Sequence, residues 1–279
     1  MNSERIVSRL NILRGNEKTT FLGCKRSKAL SRVYKLLATS AACETLSKAI
    51  FRSFYSYPNV RLNLAQRSIL RALEFNTMYY CYDTICDAHE KTFRWILADD
   101  FDERCNKLTR WLSSVSGVFH FSAKLGAGKS TVMKMIINHG ESQKGLDTWA
   151  GDKTLVCAKF FFWNSGSERQ RSVSGLYLGL LHEVLSAHPD LTPHDLPSFW
   201  ETVYTSSWPA GERMHISPSQ ALQGLDRLFR GSDISQNYRF CLFIDGLGEL
   251  HETTECSYSD LTEMIYRWSS LTSRLTSYD

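Results

Sequence analysis

The stretch Ala123-Lys124-Leu125-Gly126-Ala127-Gly128-Lys129-Ser130-Thr131 constrains this chain more than any other. It follows a short apolar run, Val118-Phe119-His120-Phe121, opened by Gly117. It precedes an apolar-periodic segment carrying Val132, Met133, Met135 and Ile136. Strand, glycine-containing loop and helix in that order form the context of a phosphate-binding loop. Backbone N–H groups must wrap a phosphate, which needs small residues. The lysine must reach the β- and γ-phosphates, and the hydroxyl after it must bind Mg²⁺. A helix starting at Gly128 turns its N-terminal dipole on the same anion. On this reading residues 123–131 bind the nucleotide, ATP or GTP. Lys129 grips its phosphates and Ser130 is a magnesium ligand. The first glycine of the pattern G-x-x-x-x-G-K-[ST] is here Ala123. Alanine tolerates positive φ poorly, so strain is expected at the loop entrance.

A second element supports the first. Phe240-Cys241-Leu242-Phe243-Ile244 is a buried-strand pattern that ends at Asp245, followed by Gly246-Leu247-Gly248-Glu249. An aspartate closing such a strand is the usual second contact to magnesium, so Asp245 joins Ser130 as the expected metal pair. Glu249, four residues on, is the candidate catalytic group, placed to orient or deprotonate an attacking water.

The remaining pattern supplies a frame for these motifs. Leu155 to Trp163 reads as another buried parallel strand, ended by Asn164-Ser165-Gly166. Helical spacing is expected over 27–53, from Leu62 to Leu73, from Ala88 to Leu97, from Phe101 to Leu112, and over 172–186, 220–230 and 259–275. Pro58 is read as a break, and the proline-bearing stretch 188–219 as loop with short helices. The expected class is a three-layer α/β P-loop fold, with a mainly parallel sheet and helices on both faces. A helical segment precedes it. Residues 1–64 are read as a helical or partly disordered lead-in and 65–112 as a helical linker. Residues 113–279 are read as the nucleotide-binding domain, incomplete at its C-terminal end.

The residues also resemble a known family, the NACHT-type NTPase domains of fungal NLR-like signalling proteins in the nephrocystin-3-like N-terminal subgroup. The likeness runs over roughly 65–275. It is carried by Ile69-Leu70-Arg71-Ala72-Leu73-Glu74-Phe75, Met78, Ile85, Ala88-His89, Thr92-Phe93 and Trp95-Ile96-Leu97 before the loop. After it come the loop unit from Gly117 to Ile136, then Phe160-Phe161-Phe162-Trp163-Asn164-Ser165-Gly166, Leu176 to Leu185, and Phe240 to Glu249. The resemblance implies a nucleotide switch of the STAND class. Such a switch rests on diphosphate, self-associates on triphosphate and carries a C-terminal repeat array as sensor. Three departures stand out. Ala123 replaces the first glycine of the Walker A loop. Gly248 replaces the second acid of an Asp-Gly-Leu-Asp-Glu run. Cys81 stands where the lead-in often has arginine. The chain is also expected to end before the strand that supplies a sensor arginine. Hydrolysis is the step these departures weaken, and binding is the step they spare.

Composition excludes several other classes. The formal charge of +4 over 279 residues does not argue for nucleic acid. No run of about 18 apolar residues exists, so no membrane span is expected. None of the eight cysteines forms a C-x-x-C pair, which leaves a zinc ribbon unsupported and suits a reducing, cytoplasmic compartment. The basic lead-in is read as a solvated or family-specific segment rather than a transit peptide. His182-Glu183 is not H-E-x-x-H, and no G-x-S-x-G is present. His89 is read as a helix-start residue, Trp163 as strand-end core, and Lys159, Arg169 and Arg171 as a solvated basic face. Two alternatives remain beside the nucleotide switch. One is a pseudo-NTPase that keeps the fold as a protein-interaction scaffold. The other is a small-molecule kinase, which would need an arginine-bearing lid.

Overall fold

Four strands pair in parallel, and the two faces of the sheet at β2 and β3 are buried by separate sets of helices. The computed structural model describes residues 58–89, 96–97, 105–114, 117–124, 126–205, 214–252, 257–271 and 274–278; for 58–60, 105–107, 205 and 274–278 only the backbone is described. The chain divides into two compact units, Met1–Leu64 and Ala65–Asp279. The second contains everything described below apart from the first turns of one helix.

In chain order the described elements are α1 Pro58–Leu73, α2 Tyr80–Thr84, α3 Cys105–Ser114, β1 Gly117–Phe121, α4 Lys129–Asn138 and α5 Gly140–Ala150. Next come β2 Thr154–Phe161, α6 Val173–Ala187, α7 Thr192–Asp195, α8 Pro197–Thr205, α9 Pro218–Arg230 and α10 Ser232–Asn237. The last are β3 Tyr238–Asp245, α11 Tyr258–Leu271 and β4 Arg274–Tyr278. Single 3-10 turns occupy Glu168–Arg171, Pro189–Leu191 and Leu247–Glu249. The sheet order is β1-β4-β3-β2, every pair parallel.

Strand alternation sends side chains to two faces. Val156, Ala158 and Phe160 of β2 join Phe240, Leu242 and Ile244 of β3 in one core with Ile69, Leu73, Leu176, Leu180, Leu225 and Trp268. Phe161, Cys241 and Phe243 face the other way, into a core with Leu108, Trp111, Met133, Ile136, Leu146 and Trp149. Helices α1, α6, α9 and α11 therefore supply one layer, and α3, α4 and α5 the other. A strand covered on both faces explains why β2 and β3 read as near-continuous apolar runs. Helix α9 begins with Ser217 as cap, accepting from the Gln220 N–H, and with Pro218 in the first turn, where a missing N–H costs nothing.

Several sequence expectations are corrected. Pro58 opens α1, which begins before the expected Leu62; the stretch before Pro58 lies outside the described residues. The expected helix from Ala88 to Leu97 is not found in its described parts. Ala88 and His89 are irregular, and Ile96 and Leu97 lie in a turn, each 8% exposed. Ile96 falls in a 3-10 turn, and both reach the second core; residues 90–95 lie outside the described residues. The following helix is described from Cys105 to Ser114, and 101–104 lie outside. The last helix stops at Leu271, and Arg274–Tyr278 is a strand between β1 and β3. The apolar spacing of 27–53 falls outside the described residues. Among the described residues no helix is long and apolar enough to cross a membrane.

Candidate functional site

All four strands run the same way, so the loops that follow β1, β2 and β3 gather at one edge of the sheet. The helices after β1 cover one face and those after β2 and β3 the other. Open parallel sheets form their ligand crevice where helix placement reverses in this manner. Residues 122–124, 126–128, 162–167 and 246–249 all emerge at that edge.

The loop after β1 is held by bonds among near neighbours. The Ala127 N–H donates to the Lys124 carbonyl (3.1 Å), and the Val132 N–H donates to that of Gly128 (3.0 Å). The Lys129 ammonium rests on the Ala123 carbonyl at 3.3 Å. Gly128 caps α4 in the left-handed region, at φ 81° and ψ 25°, which a side chain would oppose. Gly126 is also left-handed, at φ 77°. Ala123 is not. Among the described residues Thr77 is the only non-glycine with positive φ, so the strain expected at Ala123 is absent. The left-handed steps fall on glycines, and position 123 serves Lys129 through a carbonyl that alanine also has. Ala123, Lys124, Gly126 and Ala127 are exposed, while Lys129, Ser130 and Thr131 are half-buried in the first turn of α4. Leu125 lies outside the described residues.

The carboxylate side is built differently. Asp245, 3% exposed, ends β3. The Ser130 hydroxyl, the Gly246 N–H and the Lys129 ammonium all lie near enough to favour its charged form. Burial wins nonetheless, with the negative Glu249 adding to it, and the carboxyl is pushed up to about 6. Gly246 turns the chain at φ 73°; a Cβ there would lie 2.9 Å from the Phe162 carbonyl oxygen. The next turn lifts Glu249 to the surface, where its Oε2 accepts the Asn164 N–H at 2.8 Å. Around Gly248 nothing lies within 4 Å of an added Cβ.

Residues absent from the sequence-based site complete this side. The Cys81 thiol points at the Phe162 carbonyl (3.9 Å). Burial, with Asp245 and Glu249 close by, pushes it up to about 12, so it stays a thiol. Tyr80, half exposed, stacks on Trp163 with ring centroids 5.2 Å apart. Trp163 therefore lies beyond the strand, half-buried, and is not core. Cys81 is 81 residues from Phe162, and Asn164 is 85 from Glu249. Separations of that size leave no local pattern to find.

Other candidates disperse. Lys159 is not part of a solvated basic face. It pairs with Glu183 at 3.1 Å and its ammonium sits 4.8 Å from the Tyr82 ring centroid. Nδ1 of His182 is 2.7 Å from the Tyr79 hydroxyl, and burial lowers the imidazole's pKa. His89 is exposed and lies in no regular element. Among the described residues no group of three or more His, Cys, Asp or Glu side chains could hold a metal. Cys81, Cys86, Cys157 and Cys241 are free thiols.

Residues 91–277, more than half of the chain, match the family described as nephrocystin 3, N-terminal. The chain belongs to that family. No curated protein and no solved structure matches it. The matched span holds the β1–α4 loop, Asp245 and Glu249, whereas α1 and α2 lie before it.

Proposed function

We propose that this chain is a magnesium-dependent nucleoside triphosphate-binding module, taking ATP or GTP, of NACHT type within a STAND-like signalling protein. One observation carries the reading. The hydroxyl of Ser130, in the first turn of the helix after the glycine loop, lies beside the buried carboxylate of Asp245 at the end of β3 and favours its charged form. Two residues 115 positions apart are brought together at the carboxyl edge of the sheet, where a phosphate-bound cation would be held.

The donor set fits such a cation. A hydroxyl and one carboxylate are hard oxygen ligands, and magnesium takes few protein ligands beside substrate phosphates and water. A dedicated cage of three or more acidic side chains is not needed. When bound, the cation would neutralise charge on the β- and γ-phosphate oxygens. The protein's own part is binding and orientation. The amides of residues 124–130 and the α4 N-terminus meet the phosphates, and Lys129 adds a point charge. Lys129 would exchange the Ala123 carbonyl for a phosphate oxygen. Glu249, anchored on the Asn164 N–H through one oxygen, has the other with which to hold a water. Gly248 offers no second carboxylate beside it, and hydrolysis is accordingly proposed as slow. The four free thiols suit a reducing, cytoplasmic setting.

Binding of fluorescent ATP and GTP analogues, with Mg²⁺ or with chelator, tests the reading. Lys129→Ala should weaken magnesium-dependent binding by about 100-fold, near 2.7 kcal/mol, and leave the urea midpoint unmoved. Equal, negligible binding by both folded proteins would refute it and favour the scaffold reading, to which the bare Gly248 position already points.

A further inference from the structure

We propose that the segment Thr77–Asp87 is a positioning strap. It would hold the loop that anchors Glu249 and tie that loop to the helix that begins at Lys129. This inference rests on the nucleotide-binding reading and extends the site to residues outside the family match.

The argument starts from residues 162–164. Each is bonded to the carboxylate side or to the strap, and together they join the two. The Phe162 N–H donates to the Asp245 backbone carbonyl at 2.9 Å, while the Phe162 carbonyl faces the Cys81 thiol. The Asn164 N–H holds the Glu249 carboxylate. Between them the Trp163 ring stacks on Tyr80, and the Trp163 N–H donates to the Gln170 carbonyl at 3.0 Å.

Gln170 is the latch. It is 1% exposed, and its side chain is divided between the loop and the strap. Its Oε1 accepts the Ser167 N–H (2.9 Å) and the Thr77 hydroxyl (3.0 Å), and its Nε2 donates to the Thr77 carbonyl (2.8 Å). Thr77 meets it at φ 69°, an uncommon conformation for a β-branched residue that neighbouring contacts must hold.

The far end of the strap is pinned to α4. The Lys134 ammonium donates to the Ile85 carbonyl at 2.7 Å and pairs with Asp87 at 3.0 Å. The Tyr82 hydroxyl donates to Asn138 Oδ1 at 3.0 Å. One short segment thus links the helix below the phosphate loop with the loop that fixes Glu249. Neither pin touches Asp245 or Glu249, so an effect of the pins reaches ligand either through the strap or along α4, and exchange of the strap amides separates the two. Coupling of this kind is reciprocal: a strap that pre-orders the carboxylates is itself stabilised when ligand binds them.

The test uses the full chain, with Mg²⁺ and a non-hydrolysable ATP analogue, then the GTP analogue. Hydrogen exchange is followed in peptides covering 77–87, and binding is measured for Lys134→Met, Tyr82→Phe and the conservative Lys134→Arg. Ligand should slow exchange of the Asp83 and Ile85 amides by about 5-fold, Lys134→Met should bind about 5-fold more weakly, and Lys134→Arg should restore most of the affinity. Tyr82→Phe, a milder change, should follow in the same direction. Ligand that binds with wild-type affinity to both pin variants, or leaves strap exchange unchanged, would overturn the strap and leave the nucleotide reading standing. Absence of binding to the folded wild type would remove both.

Discussion

The two walls of the candidate site are built on opposite plans. The loop after β1 is exposed and stabilised by bonds spanning three to six residues, from Lys124 to Ala127 and from Ala123 to Lys129. The carboxylate wall is buried at Asp245 and Phe162 and is tied together across the chain. Asp245 meets Ser130, Glu249 meets Asn164, and Phe162 meets both Asp245 and Cys81. A wall made of local bonds can change its ligand contacts without consequence for folding. A wall made of long-range bonds cannot, because the groups that would touch ligand also join strands.

The sharpest way to break this comparison is Gly246→Val. The left-handed φ and the Phe162 carbonyl 2.9 Å from a new Cβ oppose any side chain. Chemical denaturation should show a loss of roughly 3 kcal/mol; an unchanged urea midpoint would mean that the carboxylate wall is not structural.

Asp245→Asn comes next, and its effect depends on pH. The folded carboxyl titrates near 6, above the ordinary value of 3.8. Its contribution to stability is therefore full below pH 3.8 and is lost as pH rises through about 6. At pH 7.5 the ionised, buried Asp245 costs on the order of 3 kcal/mol. The asparagine variant should be more stable than wild type there, and the two should converge at pH 4. Unfolding curves across that range would show the crossing, and parallel curves would contradict it. The same titration should weaken the proposed divalent-cation binding below pH 6 in the wild type.

The smallest expected effect lies on the other wall. Ala123→Gly should change nucleotide affinity by less than about 2-fold, within the ~0.5 kcal/mol usual for surface sites. Position 123 is exposed, has no left-handed φ and contributes only its carbonyl. A large gain in affinity from glycine would show that the loop is strained after all.

This difference between the walls also explains what could be read from the sequence. Strands β1, β2 and β3, the loop, and helices α4, α6 and α9 announce themselves through apolar period and glycine placement, which are local signals. Ala88 and His89, read as the start of a helix, are irregular, and Ile96 and Leu97 are apolar because they are buried. Strand β4 was hidden because Arg274-Leu275-Thr276-Ser277-Tyr278 continues the apolar spacing of α11 and has no apolar run of its own. Asp245 and Glu249 could be named as candidates from their place after an apolar strand. Asn164, Gln170 and Thr77 could not, since a backbone N–H and a buried amide carry no signature until distant segments meet. The alanine at 123 and the cysteine at 81 both read as departures. The structure separates them: the first is neutral in its backbone, and the second lies beside both carboxylates.

Strand β4 gives the sheet a particular order of assembly. It pairs with β1 on one side and β3 on the other, with Gly117 opposite Arg274 and Cys241 also opposite Arg274. Until residues 274–278 are in place, β1 and β3 each present an open edge, and the ring of contacts that brings Ser130 to Asp245 cannot close. The closing step joins segments more than 150 residues apart, a slow event in folding. Without strand β4, strand β3 would keep an unpaired edge, the kind of surface through which one chain captures another.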